Sequence, residues 1–74
     1  MNIERLIVMA NQIGDFFESY PDVELAKKSI AAHIKNFWAL KMRQQLVAYV
    51  LEKQGSGLHA MVTEAVREHQ ATLA

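Results

Sequence analysis

The chain has 74 residues, 51% of them hydrophobic, no cysteine and a formal net charge of zero. That length holds one domain, 1–74, with a small core, because a short chain buries only a modest share of its surface. The composition excludes a disulfide, a thiolate zinc site and a redox cysteine pair. The natural support left for so small a core is a partner, either a second copy or another protein.

Segment one runs from about Asn2 to Glu18. Asn2 can cap it, and Glu4 sits in the first turn, where the helix dipole favours an anion. Ile3, Leu6, Ile7, Ala10, Ile13, Gly14 and Phe17 share a face within about 120° of arc, and Met9, Phe16 and Tyr20 widen it to roughly 180°. A surface helix needs little more than about 100°, so the excess points to a second contact surface or to a bundle that wraps the helix from two sides.

Ser19-Tyr20-Pro21-Asp22 makes the first break. The proline disfavours a helical residue before it, and Ser19, ahead of Asp22, is the expected cap of the next helix. Segment two spans about Asp22 to Phe37, with Glu24 and Lys28 spaced to pair. Its core face is Val23, Ala26, Ile30, Ala31, Ile34 and Phe37, with Trp38 at one edge and His33 at the other. Two adjacent bulky aromatics cannot point the same way on a helix, so one must go to the core.

Segment three covers about Ala39 to Gln54, and no proline or glycine separates it from segment two. The two apolar faces would centre about 140° apart on one straight helix. A bend or turn at Phe37–Leu40 removes that conflict, against the alternative of one long helix over 22–54. Ala39, Leu40, Met42, Leu46, Val47, Tyr49, Val50 and Leu51 cover about 200° of arc, with Arg43 inside it. An arginine there must snorkel, find a carboxylate or meet a partner chain, because burying it unpaired costs several kcal/mol.

Gln54-Gly55-Ser56-Gly57 is the second break, with Gly55 suited to a left-handed C-cap and Ser56 or Gly57 opening the next helix. Segment four runs from about Leu58 to Thr72, with Leu58, Met61, Val62, Ala65, Val66, His69 and Leu73 as its stripe and Glu64–Arg67 as an exposed pair. The fold class is all-α, a small bundle of three to four helices.

Charge is uneven along the chain. Residues 1–25 carry Arg5 against Glu4, Asp15, Glu18, Asp22 and Glu24, while 26–53 carry Lys27, Lys28, Lys35, Lys41, Arg43 and Lys53 against Glu52. The basic middle is expected to face the chain's own acidic first segment. A small nucleic-acid-binding regulator is the alternative, but such modules carry a net basic excess, so no nucleic acid is expected. No apolar run approaches the roughly 18–20 residues that span a bilayer, and the first residues lack the basic start of a secretory signal. No membrane and a cytoplasmic location are expected.

No catalytic, cofactor-binding or metal constellation emerges. Gly55-Ser56-Gly57 is too short for a phosphate loop and follows no strand. His33, His59 and His69 form no i,i+4 metal pair and read as structural. Ser29 and Ser56 have no base at readable spacing.

Three blocks of residues resemble the small delta subunit of cytoplasmic NAD-dependent, molybdenum-containing formate dehydrogenases. They are Met9-Ala10-Asn11-Gln12-Ile13 with Phe16-Phe17; His33-Ile34, Phe37-Trp38, Met42-Arg43 and Leu46; and Gly57-Leu58, Val62, Ala65 and Val66. Two departures stand out: Leu40 and His59-Ala60 occupy positions where that family commonly has proline. The resemblance implies an accessory subunit and not an enzyme. Larger subunits would hold the molybdenum–pterin cofactor, iron–sulfur clusters, FMN and NAD. This chain would hold no cofactor and would support assembly, cofactor loading or stability. Its partners would be the larger formate dehydrogenase subunits, the molybdenum-containing alpha subunit first. Met9, Phe16, Trp38, Met42 and Arg43 are the candidate docking residues, and the isolated chain could form a homodimer as a self-associating helical module.

Overall fold

The computed structural model describes residues 2–74, and among them there are helices and no strand. The order is α1 Ile3–Phe17, α2 Val23–Phe37, α3 Leu40–Lys53, α4 Ala60–Glu68 and α5 Gln70–Leu73. The expected all-α bundle is what the chain forms.

Asn2 opens α1 as expected, its side-chain oxygen accepting from the Glu4 amide at 2.8 Å. Leu6, Ala10 and Gly14 are the buried line of α1. Gly14 is a close-approach position: a Cβ there would lie 2.8 Å from Val62 and 2.9 Å from the His59 ring, so α1 and α4 touch where no side chain fits.

The cap of α2 is Asp22, which accepts from the Leu25 amide at 3.1 Å, and not Ser19. Pro21 keeps Tyr20 out of helical geometry, so a cap must follow the proline. Ala26, Ile30, Ala31 and Ile34 are buried, whereas Val23 is half exposed.

Residues 22–54 form two helices. Trp38 and Ala39 are both extended (φ −101, ψ 140 and φ −62, ψ 150), so the chain turns between α2 and α3 without proline or glycine. The turn reverses the expected roles of the paired aromatics: Trp38 is 6% exposed and joins the core, while Phe37 is 75% exposed. The helical wheel assigns Phe37 inward by carrying the 100° step to the end of α2. The backbone leaves that step at Trp38, and the larger ring folds back over the bundle's end.

The α3 helix buries Leu46 and Val50. It closes on Gln54 and Gly55, both left-handed (φ 57 and 71). A Cβ on Gly55 would meet the Thr63 hydroxyl at 2.5 Å, which requires glycine on two grounds. Neither Ser56 nor Gly57 opens α4. His59 does, its Nδ1 accepting from the Met61 amide at 3.2 Å. The expected single last helix is interrupted at His69 (φ −120, ψ 31), which lets α5 turn and bury Leu73 completely.

Leu6, Ile30, Ile34, Trp38, Leu46, Val50, Val62, Val66 and Leu73 form one core drawn from all five helices or, for Trp38, from the turn. The exchange of roles between Phe37 and Trp38 predicts opposite stability effects. Trp38→Ala should cost about 3–5 kcal/mol in urea unfolding. Phe37→Ala should stay within about 0.5 kcal/mol. Equal losses would contradict the assignment.

A candidate docking groove between the first two helices

Residues Met9 to Phe17 of α1 and the last turn of α2 enclose an open groove of about 390 Å³. Met9, Ile13, Phe16 and Phe17 form one side, and His33 and Trp38 the other. Gln12 is the remaining lining residue. The helical rise makes the α1 wall about 12 Å long, or two turns. Phe16 is 70% exposed and meets Phe17 edge to face at 4.9 Å, and Phe17 meets Tyr20 the same way at 5.0 Å. On the other side the His33 ring lies 4.7 Å from Phe37. These rings extend the apolar surface beyond the groove.

Of the five docking candidates, the structure brings Met9, Phe16 and Trp38 together here. Met42 is half buried against the core. Within the chain Arg43 finds backbone carbonyls and not a carboxylate. Its guanidinium donates to the carbonyls of Lys35 and Trp38, both at 3.1 Å, and to that of Leu73 at 3.1 Å. It therefore satisfies chain-end carbonyls of α2 and α5 that have no helical partner. His33 in the lining and Phe37 beside it are not among the sequence's docking candidates. The signal was present in the Phe37-Trp38 pair, but the choice of which ring points inward depended on the turn.

The titratable groups bind helices to one another. Lys27, with its side chain 5% exposed, lies 2.8 Å from Glu24, 2.6 Å from Glu68 and 3.7 Å from Glu64. Glu24 and then Glu68 hold its ammonium well above the ordinary lysine range, against the opposing effect of burial. Lys27 in turn holds the Glu68 carboxyl below its ordinary value. Of the basic middle, Lys27 thus meets one carboxylate from residues 1–25, Glu24, and two from α4. The anticipated Glu24–Lys28 and Glu64–Arg67 pairings give way to this cluster because one buried ammonium attracts all three carboxylates.

At the other edge of α4, His59 Nε2 lies 2.9 Å from Glu18 and 3.9 Å from Asp15. Asn11 completes the clamp, accepting from the His59 amide at 2.7 Å and donating to the Gly57 carbonyl at 3.0 Å. The ligand atoms of Asp15, Glu18 and His59 lie within 4.8 Å of one another, close enough for a cation. The imidazole argues otherwise. Its Nδ1 accepts from Met61, so Nε2 carries the proton and donates to Glu18. A metal-bound histidine has the reverse pattern, donating its free ring nitrogen. The trio reads as a joint between α1 and α4.

The sequence matches the family model described as NADH-dependent formate dehydrogenase delta subunit (FdsD), over residues 5–66. The chain belongs to that family. No curated protein and no solved structure matches it. A formate dehydrogenase delta subunit has the complex's other subunits as partners. No helix among the described residues is long and apolar enough to cross a membrane. All seven groove residues fall within the first two blocks of the resemblance.

The Lys27 cluster sets a pH dependence. Because the folded Glu68 carboxyl lies below its ordinary value of 4.5, its contribution is present above that pH and is lost as pH falls through the folded value. Lys27 is raised, so its contribution holds at every pH below its ordinary 10.5. Lys27→Met should therefore lose stability at neutral pH, with a smaller difference from wild type below about pH 4.5. Urea unfolding at neutral and acid pH checks this, and a difference unchanged by pH would contradict it.

Proposed function

We propose that this delta subunit is a non-catalytic, cytoplasmic accessory subunit that docks on the molybdenum-containing alpha subunit. It supports assembly, cofactor loading or stability of the active enzyme. The family match carries this reading. Three features support it: there is no cysteine to ligate an iron–sulfur cluster, Lys27 and His59 are engaged in holding α4, and an apolar groove faces outward beside two exposed phenylalanines. The molybdenum–pterin, iron–sulfur, FMN and NAD sites then lie in the larger subunits.

Deleting the chain from cells that make the larger subunits tests the role. Formate oxidation and the molybdenum content of the purified enzyme should both fall. They should recover when the chain is supplied again. Full activity with normal molybdenum content in its absence would contradict the reading.

A further inference from the structure

His59 uses both ring nitrogens and both backbone groups at the start of α4. Its Nδ1 accepts from the Met61 amide at 3.2 Å, and its Nε2 lies 2.9 Å from Glu18 Oε2. Its own amide donates to Asn11 Oδ1 at 2.7 Å, and its carbonyl accepts from the Thr63 amide at 3.0 Å. A backbone amide can only donate, so the ring nitrogen facing Met61 must be bare. That fixes the ring as neutral, with its one proton on Nε2. The cap of α4 therefore exists only while His59 is uncharged. The usual capping residues, Ser, Thr, Asn and Asp, carry no such condition near neutral pH.

A second proton on the ring could go only to Nδ1. There it would confront the Met61 N–H, donor against donor, at the end of α4 where the helix dipole is positive. The charged groups that face the ring pull the other way. They are Glu18 and Asp15 of α1, at 2.9 and 3.9 Å from Nε2, and both favour an imidazolium. No carboxylate of α2, α3 or α5 lies within 4 Å of the ring nitrogens among the described residues. Glu64 and Glu68, farther along α4, are turned to Lys27. The ring has little room to escape the conflict. A Cβ at Gly14 would lie 2.9 Å from the His59 Cγ, so the ring is wedged against α1, and Asn11 holds its backbone. Turning the ring would also take Nε2 from Glu18. What can give way is the Met61 amide, and with it the first turn of α4.

We propose that His59 is a proton-operated catch. Uptake of a proton by its ring releases the Met61 amide and opens the first turn of α4, while the tie to Glu18 and Asp15 tightens. Histidine is the side chain whose charge ordinarily changes between about pH 5 and 8. The capping contribution is present with the neutral ring and is lost as pH falls, whereas the ion-pair contribution grows. The two oppose each other in global stability, so the catch shows as local opening. It is a property of this chain, independent of the subunit role.

The test follows the full chain by NMR from about pH 8 to about pH 5. That window lies above the ordinary Glu68 value of 4.5, and the folded carboxyl is lower still, so the Lys27 cluster stays intact. Two signals are read together. One is the ring nitrogen shifts of His59. The other is hydrogen-exchange protection of the Met61 amide, corrected for the intrinsic pH dependence of exchange. Protection should fall by about fivefold or more, the size of a lost cap, over the same pH range in which the ring gains its proton. The Ile30 and Leu46 amides, inside α2 and α3, should keep theirs. His59→Asn retains a capping oxygen without a titrating ring, so its Met61 protection should not change with pH. Should that variant fail to fold, Glu18→Gln, at an exposed position, removes the nearest carboxylate, and both signals should move together to lower pH. Movement of one without the other would overturn the proposal. So would a protonated ring with Met61 protection unchanged, a ring that stays neutral down to about pH 5, or a loss of protection that persists in His59→Asn.

Discussion

Two extended residues at the end of α2 determine much of the rest. With Trp38 and Ala39 out of helical geometry, α3 turns back on α2 and the indole closes the core. The same turn strands carbonyls at the end of α2, and Arg43 lies one turn into α3, in position to reach them. Its Nε reaches the last carbonyl of α5 as well, tying the C-terminal turn to the same point. Phe37 is turned outward by this geometry, beside His33 at the rim of the groove. One local conformational choice thus shapes the core, an internal cation site for backbone carbonyls and the apolar outer surface.

The polar residues divide the molecule's surface by role. Lys27 with its carboxylates holds α2 to α4, and the His59–Asn11–Glu18 clamp holds α1 to α4. Both polar joints are made to α4, and the groove side of α1 and α2 remains uncharged. Gly14 allows the α1–α4 joint to close to a distance that no side chain would permit. For a small chain without disulfides, this arrangement satisfies buried polar atoms and keeps one face apolar.

The sequence carried the helical segments, the capping of α1 and the turn at 37–40, because each follows from local spacing or a conflict between adjacent apolar faces. It did not carry the outcomes decided by contacts between distant segments. Phe37 and Trp38 exchange roles because the turn, not the wheel, aims the last side chains of α2. His59 replaces Ser56 or Gly57 as the cap because Asn11, 48 residues away, holds its backbone. The single last helix splits at His69 so that Leu73 can reach the core. Arg43 looked like a charge in need of a carboxylate. Its partners are backbone carbonyls, which no residue pattern displays. Of the groove, the sequence indicated Met9, Phe16 and Trp38 individually, through wide apolar arcs and one lone indole. Their convergence depends on α1 and α2 packing side by side.

The most direct measurement is photo-cross-linking from a benzophenone side chain placed at position 16 in the assembled enzyme, with position 51 as the comparison. The account predicts that position 16 links to the larger subunits and that position 51 does not. Cross-links to those subunits from position 51 alone, with position 16 reacting only with water, would contradict it.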